Sequence, residues 1–200
     1  MKLFILSSML IVLISFQSIS FAQKNEYGAF GAATLKISSI YGQSAILTGG
    51  RFGWVIDSSI VLGGGVYALA SSVKTNITDP VSGQQVMLGF NCGGIELEYI
   101  FFPSSRVHAS LGMFFAGAGT TYGISNKGGP HTSYFSQNLL LWEPQVNIEF
   151  NIVYWLHLDT GVSYRICTTP GTLSFYNTGG ISLKDLEGLS ALVSFKFGSF

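Results

Sequence analysis

From Ile95 to Tyr99 the chain alternates strictly: Glu96 and Glu98 take one parity, and Ile95, Leu97 and Tyr99, followed in phase by Phe101, take the other. A period of two is the signature of a strand whose faces meet different surroundings. The pattern recurs. Glu143, Gln145, Asn147 and Glu149 oppose Trp142, Val146, Ile148 and Phe150, and His157, Asp159, Ser163 and Arg165 oppose Leu156, Leu158, Val162 and Tyr164. Lys196 opposes Val193, Phe195 and Phe197, and Arg51 opposes Phe52, Trp54 and Ile56.

Parity does not say which half is inside, and composition helps to decide. Charged residues make up 10% of the chain and hydrophobic ones 48%, whereas soluble domains carry about 25% charge. Beyond residue 22 no apolar run approaches the roughly 18 residues of a transmembrane helix. Such a chain either buries an unusually apolar core or turns apolar strand faces to lipid. The 25 glycines and 14% aromatics favour the second.

The expected architecture is all-β: a closed antiparallel up-and-down transmembrane β-barrel of about eight strands. They are read at about 27–38, 43–56, 59–72, 87–102, 106–122, 138–150, 153–166 and 188–198. Connections at Asp57-Ser58, Phe102-Pro103-Ser104-Ser105 and around Asn151 are tight, while 73–86, 123–137 and 167–187 are long and polar. Outer-membrane barrels pair short periplasmic turns with long extracellular loops in this way. Pro144 falls inside a strand, so a bulge is expected there, near the extracellular rim.

Residues 1–22 read as a signal peptide. Lys2 precedes the apolar stretch Leu3 to Phe16, and Ser20-Phe21-Ala22 offers small residues for cleavage before Gln23. The barrel domain is then 23–200, destined for the bacterial outer membrane. Removing Lys2 leaves 9 basic and 10 acidic residues, a balance that argues against a nucleic-acid partner.

Nine charges fall inside strands: Lys36, Arg51, Glu96, Glu98, Glu143, Glu149, Asp159, Arg165 and Lys196. Buried charges must pair, and four basic against five acidic residues form a lumen charge network in a polar, self-plugged interior. Trp54, Tyr99, Phe101, Phe150, Tyr154 and Trp155 are expected in a periplasmic aromatic girdle, and Tyr41, Tyr122, Trp142 and Tyr164 in an extracellular one.

The chain resembles small bacterial outer-membrane barrels of the OmpA and OmpX kind, and more closely other barrel proteins of similar length. The resemblance rests on Gly49-Gly50-Arg51-Phe52-Gly53-Trp54, Gly93-Gly94-Ile95-Glu96-Leu97-Glu98-Tyr99, Glu143-Pro144 with Asn147, Ser163-Tyr164-Arg165, and the ending Phe195-Lys196-Phe197-Gly198-Ser199-Phe200. It implies outer-membrane lipid and the barrel-assembly machinery as partners, with Phe195, Phe197 and Phe200 as the assembly signal. Phe200 is out of phase with the other two, so it needs a bulge near Gly198 or lies beyond the last pair.

No catalytic residue, metal or cofactor is expected. His108-Ala109-Ser110 and His131-Thr132-Ser133 resemble the His-x-Ser of lipid A deacylases, but His108 falls on the periplasmic side and His131 in a loop without a neighbouring acid. A lipid-modifying enzyme is therefore the alternative function, and a soluble lipocalin-like binder the alternative class. The leading expectation is a non-enzymatic barrel with a structural or surface-contact role. Cys92 and Cys167 share the lumen parity but lie three strands apart, too far for a disulfide, so free thiols are expected.

Overall fold

The computed structural model describes residues 27–78, 83–124, 132–168 and 182–200. The leader at 1–22 and His131 lie outside the described residues. β-Branched and aromatic residues alternating with small or polar ones form the strands β1 (Tyr27–Ile40), β2 (Gln43–Ile56), β3 (Ile60–Leu69), β4 (Val73–Thr78), β5 (Gln85–Phe101), β6 (Val107–Ile124), β7 (Thr132–Val153), β8 (Leu156–Thr168) and β9 (Gly188–Ser199). Each pairs antiparallel with its neighbour, and the pairing of β1 with β9 closes the sheet.

Two of the nine segments are one stave. β3 and β4 both pair with β5, separated by a two-residue slip: Ala68 faces Asn91 but Val73 faces Leu88. Eight staves therefore make a closed up-and-down barrel. The part of 73–86 covering Val73–Thr78, expected as loop, is strand, and β6 and β7 run on to Ile124 and from Thr132. Polar outward residues such as Lys74 and Asn76 hid the first of these extensions. They are ordinary strand residues where the outer face meets water.

The turns explain themselves locally. Tyr41 and Gly42 have φ of 54° and 65°, the left-handed pair that a two-residue hairpin turn requires. Between β2 and β3, Asp57 and Ser58 also take positive φ, and Ser59 N donates to Ile56 O at 3.1 Å.

Closure fixes the bore. A row of partners running from Gly28 through Val55, Val61, Glu98, Gly112, Gln145, Ser163 and Ser190 returns to β1 at Ser38, ten residues along. Eight staves with that stagger give a tilt of about 40° and a radius of about 8 Å, just wide enough for side chains to fill.

Pro144 departs from expectation. It faces Met113 of β6 in unbroken register, and the β7–β8 ladder merely skips from Trp142↔Ile166 to Gln145↔Ser163 without a shift. The missing N–H is accommodated by a local gap at mid-height, and not by a bulge at the rim.

Candidate functional site: the barrel interior

The outer surface carries an apolar belt. Phe52, Trp54, Ile95, Leu97, Val146, Ile148, Val162, Phe195 and Phe197 are each 40–60% exposed. On β7 the belt runs from Leu140 to Phe150, about 25 Å along the barrel axis at this tilt, the height of a membrane barrel's apolar band. Trp54, Tyr99, Phe101, Trp142, Phe150, Tyr154, Trp155 and Tyr164 all face outward. Tyr41 and Tyr122, expected beside them, turn inward: Tyr122 is buried and Tyr41 packs on the interior cluster. Their staves stand in water at that height, so a ring gains more inside than out.

All nine strand charges point inward and are at most 3% exposed. Toward the short-turn end, Arg51 reaches Glu96 at 3.1 Å, Asp159 at 3.1 Å, and Glu98. Lys196 lies among Glu98 at 3.5 Å, Asp159 at 3.4 Å, and Glu149. Oxygens of Glu98, Glu149 and Asp159 lie within 4.8 Å of one another, a spacing fit for a metal, but the Lys196 ammonium contacts all three. The protein supplies its own cation there.

Higher up, Lys36 pairs with Glu143 at 2.9 Å and lies 4.2 Å from the centre of the Tyr67 ring. Ser163 also donates to Glu143, and Gln145 to Glu96. Arg165 is held differently, donating to Leu186 O at 2.7 Å, Ser39 O at 3.1 Å and Ser38 Oγ at 3.0 Å. It draws the short turn after the 3₁₀ segment Leu183–Asp185 into the barrel, where Leu186 is fully buried.

The interior is not polar throughout. Above Lys36 and Glu143 it becomes apolar: Val86, Leu88, Phe90, Leu139, Leu141, Ile40, Leu47 and Val73 pack with Cys92, Cys167 and Leu186. On β5 the inward parity reads Val86, Leu88, Phe90, Cys92, then Glu96 and Glu98. The outward parity reads Gln85, the half-buried Met87, Gly89 and Asn91, then Gly93, Ile95, Leu97 and Tyr99. Both faces change character at Gly93-Gly94. The expectation of a polar lumen holds only for the lower part. The upper part is built like a soluble barrel, apolar inside and polar outside.

At the short-turn end Phe30, Val55, Val61 and Ile100 form a second apolar group. Ser199 pairs with Ala29 without a register shift, and Phe200 lies beyond the last pair. Its ring turns inward, stacked 3.6 Å from His157 and 5.8 Å from Phe30, centroid to centroid. Phe195 and Phe197 face outward. Cys92 and Cys167 are buried free thiols. His108 approaches Glu149 and Ser105 O, whereas Ser110 accepts from Asn147 at 3.4 Å. His108 and Ser110 thus engage separate partners.

No family model matches the chain, and no curated protein does. Solved structures do. The N-terminal β-barrel domain of Pseudomonas aeruginosa OprF aligns over 86% of this chain and 96% of its own, with TM-score 0.57 and 10% identity. Neisserial surface protein A aligns over 88% and 97%, with TM-score 0.55 and 14% identity. Ail, the attachment invasion locus protein of Yersinia pestis, aligns over 86% and 97%, with TM-score 0.51 and 8% identity, in complex with the heparin analogue sucrose octasulfate. The chain therefore has the fold of the small eight-stranded outer-membrane β-barrels.

Proposed function

We propose that this protein is a non-enzymatic, non-conducting barrel of the bacterial outer membrane, and that its long-loop end is its working surface. The observation that supports this is the side-chain packing inside the barrel among the described residues. An apolar cluster with Leu186 packs in the upper part, an ion-paired layer lies below it, and Phe30 with Phe200 packs near the short-turn end, where a pocket of about 470 Å³ remains. A pore needs a continuous aqueous path, and a barrel of this radius filled by its own side chains offers none. The apolar belt supports outer-membrane lipid as its surroundings. The polar upper staves support contacts with other molecules at the cell surface, either structural or adhesive. Phe195, Phe197 and Phe200 are proposed, by resemblance, as the contact for the barrel-assembly machinery.

The test is purified, refolded protein in planar bilayers. No step conductance is expected where the heat-modifiable gel shift shows folded barrel, and regular conductance steps would overturn the reading.

A further inference from the structure

Before any imidazole is counted, the charges of the lower interior do not balance. Arg51 of β2 and Lys196 of β9 face Glu96 and Glu98 of β5, Glu149 of β7 and Asp159 of β8, all at most 3% exposed. Two negative charges left over in a buried layer are costly. His108 of β6 and His157 of β8 border this layer on its short-turn side, and Arg106 lines the same mouth.

His108 is engaged at both ring nitrogens. Its Nδ1 lies 3.3 Å from Ser105 O, and its Nε2 lies 3.5 Å from Glu149 Oε1. Glu149 stands between His108 and the like-charged Lys196, which holds the other carboxylate oxygen. A backbone carbonyl and an ionised carboxylate can only accept, so both contacts hold only when both nitrogens carry protons. The neutral ring satisfies one of them and turns a lone pair toward the other oxygen. His157 asks for less: its Nδ1 meets Glu149 Oε1 at 2.6 Å, and one proton suffices.

Ser105 belongs to the turn between β5 and β6, where its N–H donates to Phe102 O at 2.9 Å. Phe102 has a φ of 55°, a left-handed conformation that costs a bulky side chain energy. The Ser105 carbonyl also accepts from Asn151 Nδ2 at 3.2 Å. His108 thus ties a strained turn to the buried ionic layer, through contacts that no sequence spacing reveals.

We propose that His108, in its doubly protonated form, is a pH-operated clasp that fastens the β5–β6 turn to the ion-paired layer. A pocket of about 470 Å³ opens onto His108 at the short-turn end and gives protons their route. The imidazolium also offsets half of the charge surplus. This stabilisation is complete below about pH 6, where an imidazole in the unfolded chain is protonated as well. It is lost as the pH rises and His108 gives up its proton. Mildly acid conditions therefore tighten the short-turn end, and alkaline conditions loosen it.

The test is urea unfolding of untagged, refolded mature protein in lipid vesicles between about pH 5.5 and 8.5. The unfolding constant of the parent should rise at least about tenfold across that range, the equivalent of one unit of differential proton binding. The rise should vanish in His108→Gln and persist in His157→Gln and His131→Gln, with gel mobility verifying that each variant is folded. A second measurement needs no change at His108. The chain has three histidines, so the double variant His131→Gln/His157→Gln leaves His108 alone, and nitrogen NMR should show both of its ring nitrogens protonated at about pH 6. A neutral tautomer there, a parent whose stability does not fall with rising pH, or a pH dependence that His108→Gln retains overturns the clasp. None of these results bears on the closed-barrel reading, since conductance is measured separately.

Discussion

Neutralising either partner of a buried ion pair ordinarily destabilises, but the lower interior sets Arg51 and Lys196 against Glu96, Glu98, Glu149 and Asp159, a surplus of two carboxylates that makes the two directions unequal. Lys196 is 1% exposed and contacts Glu98, Glu149 and Asp159 together. Lys196→Met keeps much of the volume but raises the surplus of buried negative charge from two to three. Removing one member of such a network costs about 3–5 kcal/mol. Glu98→Gln strands no cation: Arg51 retains Glu96 and Asp159, and Lys196 retains Glu149 and Asp159. It also lowers the surplus to one. The relieved repulsion offsets part of the lost attraction, leaving about 2 kcal/mol, on the scale of a hydrogen bond to a charged group. The assay is urea unfolding of the protein in lipid vesicles, followed by tryptophan fluorescence and gel mobility. Equal losses in the two variants, or a larger loss for Glu98→Gln, would refute the charge-surplus argument.

Two further outcomes follow from the faces. Leu97→Lys places an ammonium in the middle of the belt, and should cost about 2–4 kcal/mol, read as reduced heat-modifiable protein in the outer-membrane fraction. Thr121→Cys, outward on the upper part of β6, should react with a membrane-impermeant maleimide on intact cells. Leu97→Cys should not, and the buried native Cys92 and Cys167 should stay silent in both.

Much of this architecture can be read from residues such as Glu96 to Phe101 and Glu143 to Phe150, because a two-residue period with charges on one side admits few folds. What escapes is the change of sense along a strand. Val86, Leu88 and Phe90 share their parity with Glu96 and Glu98, so a single rule for the whole strand misassigns one end. The switch falls at Gly93-Gly94, where neither residue has a side chain to report it. Partners within the interior escape for another reason. Which carboxylate meets Arg51 depends on the stagger accumulated around eight staves, and local pattern does not encode that sum. Leu186 is similarly invisible: one leucine among several apolar residues of a long connection enters the barrel where Arg165 holds its carbonyl.

The reversal at Gly93-Gly94 also gives the molecule a waterline. Sinking by two residues would drag Asn91, Thr121 and Asn138 into hydrocarbon, and rising as far would strip lipid from Trp54, Tyr99 and Phe197. An inverted insertion would do worse, asking the polar upper collar to cross the bilayer. Depth and orientation are thus written into the same stretch of side chains, and lateral drift is the one freedom the membrane leaves it.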